Sequence, residues 1–148
     1  MKTLISILTL AAFLQTTIIP IDLALIILIC RSYTKISKSN LYLALFFGLL
    51  ISHLNLETLG FESIVFLICV QITASLSKLR LAGNSLMIIP VSFTLLSFFH
   101  IASSLIVHQS LDFFPKVLFE SLISLPVLYL VRLWEERFIF RKEIKLRV

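Results

Sequence analysis

Residues 20–31 read PIDLALIILICR, and the fold turns on how that stretch is placed. Pro20 closes one apolar run, Thr3–Ile19, and precedes another, Ile21–Cys30, which stops at Arg31. A helix rises about 1.5 Å per residue, so a hydrocarbon core of about 30 Å takes roughly 20 residues to cross. The second run falls short of that. Either it is a helix of its own, lengthened by Ser32 and Tyr33, or Pro20 kinks one long helix made of both runs.

Composition sets the frame for that choice. The chain is 59% hydrophobic and 14% charged, with a mean hydropathy of +1.05. Soluble domains run at roughly 45–50% apolar and about 25% charged. A soluble fold of 148 residues would lack the polar surface to cover its core, so the sequence predicts an integral membrane protein. Strands are not expected, since these runs lack alternation and lipid-facing backbone needs a helix or a closed barrel. The expectation is an all-α, polytopic helix bundle.

Outward from Pro20, the other apolar segments are Leu41–Leu54, Phe61–Ser77, Leu86–Val107 and Pro115–Trp134, the last containing Pro126. Leu86–Val107 is the one segment that clears the length criterion without help. Leu41–Leu54 gains length from Ser39 and Asn40. With six spans, the inner regions are Lys2, the 31–40 and 78–85 loops and the tail, which hold every Lys and Arg except Lys116. The outer connections hold Asp22, Glu57, Glu62 and Asp112. Short-loop Lys and Arg favour the cytoplasmic side, which puts both termini in the cytoplasm. The five-span alternative fuses the first two runs and places Lys2 outside. Six spans are preferred, with a transmembrane domain over 1–134 and a basic cytoplasmic tail over 135–148.

The start, MKTLISILTLAAFLQTTIIP, is similar to a signal peptide but lacks a clear small-x-small cleavage site. It is read as a retained first helix, with cleavage as the alternative. The net charge of +5 sits between and after apolar runs rather than on an open face, so nucleic acid is not the expected partner. Cys30 and Cys69 lie inside apolar segments as small filler, and no disulfide or metal framework follows from them. His53, His100 and His108 form no metal-binding pair by spacing. The three glycines, Gly48, Gly60 and Gly83, make no phosphate loop, and no base is spaced to activate a serine. No catalytic residue, metal or cofactor is expected.

Glu120 is the most informative single residue. It falls about five residues inside the last segment, and an acid there faces either the bundle interior or the headgroups. His100 sits about a turn deeper on the preceding antiparallel helix, within reach of it. Gln15 and Gln71 are weaker versions of the same case. In the stretch GLLISHLNLETLGF, residues 48–61, Gly48 and Ser52 are candidates for close helix packing or partner docking. His53 falls at the interface, and Gly60 supplies a permissive backbone position at a turn. In RLWEERFIFRKEIKLRV, residues 132–148, Trp134 is placed as an interfacial anchor ahead of a basic tail suited to anionic lipid.

Order and landmarks together resemble the bacterial rod shape-determining MreD family. PIDLALIILICR supplies the proline, the acid and the basic exit, as Pro20, Asp22 and Arg31. GLLISHLNLETLGFES supplies Gly48 and Leu59–Gly60, and the last helix has Pro126 before Arg132. Two positions depart: where the family carries an acid this chain has Ser52, and Thr58 replaces the proline before Leu59–Gly60. No role of that acid passes to Ser52. The resemblance implies a non-catalytic scaffold of the cell-elongation complex. Its implied partners are the membrane-anchored MreC, the MreB filament, RodA, a penicillin-binding transpeptidase and the lipid bilayer, with a homodimer left open. It also implies a likeness in architecture to the solute-binding subunits of energy-coupling-factor transporters. A vitamin-binding subunit of that kind is the alternative function, although its A-x-x-x-A docking motif does not occur in SILTLAAFLQTT.

Overall fold

In a computed structural model, residues 2–56, 60–78, 84–107 and 114–144 are described, with backbone alone at residues 2 and 107 and from 138 onward. Six α-helices account for nearly all of them. They are α1 (Lys2–Thr17), α2 (Leu23–Thr34), α3 (Lys38–Leu54), α4 (Phe61–Lys78), α5 (Ile88–Val107) and α6 (Phe114–Ile144). A 3-10 turn, Ser85–Met87, leads into α5. The described residues contain no strand.

The runs before and after Pro20 are two helices. The amides of Ile18 and Ile19 both donate to the Leu14 carbonyl, which closes α1 two residues before the proline. Tight bonds from Ile21 to Ile19 and from Leu23 to Ile21 then turn the chain, each at 2.8 Å. Leu4 and Ile27 line the same apolar groove. One fused helix would hold those two residues about 35 Å apart. The fused helix of the five-span reading is therefore absent, because the chain reverses where it would have to kink.

Three stretches are long and apolar enough to cross a membrane: Phe61–Lys78, Ser85–Ile106 and Phe114–Arg137. The sequence reading gave that length without help to the fifth segment alone; α4 and α6 join it, while α1, α2 and α3 are shorter apolar helices. α4 reaches the length by taking Lys78 as its last residue. α6 reaches it because the helix runs through Pro126 and past Trp134 to Ile144. The basic tail thus begins as a continuation of the last helix.

The short helix α2 does not need to span lipid. It packs against all five other helices, and Ala24–Ile26, Leu28–Cys30 and Arg31–Tyr33 are all buried. A helix apolar on every side belongs in the middle of a bundle. Between packed membrane helices, small and polar side chains supply much of the cohesion. Ser32 Oγ donates to the Val70 carbonyl at 3.2 Å, and Ser77 Oγ to the Tyr33 carbonyl at 2.8 Å. The Cys30 thiol donates to the Ser124 carbonyl at 3.3 Å, so the cysteine is more than filler. Ser92 and Ser124 share a hydrogen bond of 2.9 Å between α5 and α6.

α3 and α4 form the closest pair. Gly48 backs directly onto Ser63, whose Cα would lie 2.5 Å from a side-chain carbon placed on Gly48. Ser63 Oγ donates to the Leu45 carbonyl at 3.2 Å, and Ser52 Oγ to Glu62 Oε2 at 3.1 Å. Glu62 was expected in an outer loop. It lies instead in the first turn of α4, 4% exposed, where the positive end of the helix dipole favours an acid. Gly60 turns the chain with φ +96°, which uses the permissive backbone that the sequence reading expected of it at a turn. Leu56 also adopts positive φ, at 57°. Glu57, Thr58, Leu59, Gly83, His108 and Asp112 fall outside the described residues.

Candidate functional site

The most concentrated polar chemistry sits where the α1–α2 connection meets α5 and α6. Asp22 occupies the N-cap position of α2, a place where an aspartate normally accepts a first-turn amide. Here its side chain makes no such bond. The Ala24 amide donates instead to Gln15 Oε1 at 3.0 Å, and the Asp22 amide to Glu120 Oε1 at 3.2 Å. With these amides held by side chains from α1 and α6, the Asp22 carboxylate is free to turn toward α5 and α6.

There it joins His100, Lys116 and Glu120. His100 Nε2 lies 3.3 Å from Asp22 Oδ2 and 3.2 Å from Glu120 Oε2. Lys116 Nζ lies 3.7 Å from Asp22 Oδ2 and 3.7 Å from Glu120 Oε1. Glu120 is fully buried, and the His100, Asp22 and Lys116 side chains are 12%, 18% and 39% exposed. The sequence left Glu120 between the interior and the headgroups; its place is the interior, against His100 as the depth argument allowed. Sequence reasoning missed that Asp22 and Lys116 converge on the same point. The i, i+4 spacing of Lys116 and Glu120 was the available signal for the second of them.

An acid enclosed this way depends on its partners. Glu120→Leu is expected to lower stability by about 1–3 kcal/mol, since the Asp22 amide loses its acceptor and His100 one carboxylate. Glu120→Gln, which keeps an acceptor, should fall between Leu and the native chain. Unfolding in mixed SDS–dodecylmaltoside micelles measures both; equal stability of all three chains would show that the contacts carry no stability.

The far end of α2 carries a second charged contact. Arg31 Nε lies 3.5 Å from Glu135 Oε1, with side-chain exposures of 7% and 10%. Arg31 was assigned to the inner loop, but α2 continues through it to Thr34 and encloses it. Nearby, Arg132 Nη1 donates to Ser85 Oγ at 2.7 Å. Both ends of the central helix are therefore held by ionic contacts to α6.

The remaining sequence candidates lie elsewhere. Gly48 and Ser52 are buried in the α3–α4 seam, Gly60 is in the turn beyond it, and His53 is exposed in the last turn of α3. Pro20 is in the α1–α2 connection and Pro126 is inside α6. Compared with protein-family models, curated proteins and solved structures, the chain matches none. Fold and site define an all-helical protein with three helices long and apolar enough to cross a membrane, its buried charges gathered around a short central helix.

Proposed function

We propose that this chain is a multi-pass inner-membrane scaffold of the MreD type, with both termini in the cytoplasm. In this reading it docks an MreC-like partner within the cell-elongation complex and supports peptidoglycan synthesis without catalysing a reaction itself. The observation that carries the reading is the direction of its side chains. Buried polar groups contact one another across helices, while long apolar residues such as Tyr42, Phe46, Phe98, Leu105, Phe119 and Leu130 point outward. Such a bundle offers rigid apolar faces on which a partner's single transmembrane helix can pack.

The resemblance landmarks support the same reading. Asp22 and Arg31 bracket the central helix, and each is used to fasten it. Ser52 stands where the family carries an acid, and the acid it meets is Glu62 of the next helix. A buried carboxylate is thus present at that seam, supplied from the neighbouring helix.

Co-expression with the MreC-like protein of the same genome, followed by affinity purification of the tagged chain in detergent, tests the proposal. Retention of the partner in stable proportion is expected. Absence of any retained partner, with both proteins present in the membrane fraction, would overturn it. Capture of transporter ATPase subunits instead would point to the solute-binding alternative, with its energy-coupling-factor architecture.

A further inference from the structure

Three donors at the α1–α2 connection are arranged in a way that their hydrogen bonding does not fully use. Asp22, His100 and Glu120 each present one ligand atom, all within 4.8 Å of one another. A single nitrogen, His100 Nε2, faces two carboxylate oxygens at 3.3 and 3.2 Å. One N–H cannot point well at both. Asp22 Oδ2 is closed off from solvent and accepts no hydrogen bond, although it touches His100 and Lys116.

Charge leads to the same point. With a neutral imidazole, two carboxylates face one ammonium and the enclosed group keeps one excess negative charge. Replacing the ammonium by a divalent cation would bring the balance to zero. Tetrahedral zinc, bound at about 2.0–2.1 Å, sets its ligand atoms about 3.3 Å apart, close to the two separations from His100 Nε2. Lys116, more than a third exposed, is the one member with a side chain open enough to withdraw.

We propose that Asp22, His100 and Glu120 form a binding site for a first-row divalent cation of the zinc class, with Lys116 as its built-in competitor. His100 would ligate through Nε2 and carry its proton on Nδ1. The two carboxylates supply the neutralising charge, and the ammonium of Lys116 holds their place until the cation displaces it. One imidazole and two carboxylates suit zinc or manganese better than the softer metals that thiolates select. Bound metal would clamp the α1–α2 connection to α5 and α6 from the outer side.

Lys116 makes the test discriminating. The purified chain, stripped with a chelator in detergent, is titrated calorimetrically with Zn2+, and retained metal is counted after desalting. One zinc per chain is expected, with a rise in thermal midpoint, and both effects should be lost in His100→Ala and in Glu120→Gln. Lys116→Gln, which removes the competing charge, should tighten binding by about tenfold or more. A purely structural ion-pair cluster gives the reverse pattern: Lys116→Gln weakens the fold and no zinc is retained. His53→Ala/His108→Ala controls for the two histidines outside the cluster and should bind as the native chain does. Zinc uptake that survives His100→Ala, or that vanishes in the His53→Ala/His108→Ala variant, overturns the proposal. If Glu120→Gln fails to fold, His100→Ala and the gain in Lys116→Gln still decide. No partner protein enters the assay, so its outcome is separate from that of the co-purification.

Discussion

Gly48→Leu is expected to prevent the bundle from forming. A side-chain carbon at Gly48 would meet Ser63 at 2.5 Å from Cα, 2.8 Å from the backbone nitrogen and 2.9 Å from Oγ. Two of those atoms are backbone, so no rotamer change clears them, and α3 and α4 must move apart. Separation also breaks the bond from Ser63 to the Leu45 carbonyl and draws Ser52 away from Glu62. Gly48→Ala, the smallest test, should cost about 1–3 kcal/mol through overpacking alone. Size-exclusion chromatography of Gly48→Leu in mild detergent should show aggregate rather than a symmetric peak. A native elution profile and thermal midpoint would mean that the helices are not in contact at this point. Because Gly48 is internal to the chain, loss of a partner in such a variant reports the fold, and a docking face has to be mapped with outward residues instead.

The second large effect concerns the C-terminal end of α2. Arg31→Ala leaves Glu135, 10% exposed, as an enclosed carboxylate without the guanidinium beside it. Breaking a buried pair from one side costs about 3–5 kcal/mol, whereas replacing both members by apolar residues is often neutral or stabilising. The double variant Arg31→Leu/Glu135→Leu should therefore recover most of the loss. Unfolding in mixed micelles of the native chain, Arg31→Leu, Glu135→Leu and the double variant yields the coupling. If the double variant is as unstable as Arg31→Ala, Arg31 acts through some contact other than Glu135.

Helix positions were largely legible because length and apolarity are local properties. The extension of α2 through Ser32 and Tyr33, and of α3 through Ser39 and Asn40, followed from the length of helix a bilayer requires. The Glu120–His100 contact was legible because adjacent antiparallel helices fix relative depth from a connecting loop. Asp22 was not placed with them, since its partners lie far along the chain and only the bundle's packing brings the α1–α2 connection beside α6. Arg31–Glu135 was missed for the same reason. Glu62 was misread for a different one: an acid just after a turn looks like a loop residue, whereas the first turn of a helix suits it as well. α6 was cut short at Trp134 because interfacial aromatics and charges mark where lipid ends, not where hydrogen-bonded backbone ends.

The burial of α2 among all five other helices also fixes an order of events during synthesis. A twelve-residue helix with an arginine near its end is a poor passenger for lipid on its own, and the helix that fastens both of its ends is made after the other five. Between the emergence of Thr34 and that of Phe114 the ribosome works for on the order of ten seconds at ordinary elongation rates. Through that interval the N-terminal half holds Arg31 without Glu135 beside it, and an apolar seam without α6. Its final seating thus waits for α6, and a chain truncated after α5 should reach quality-control proteases rather than fold as a smaller bundle.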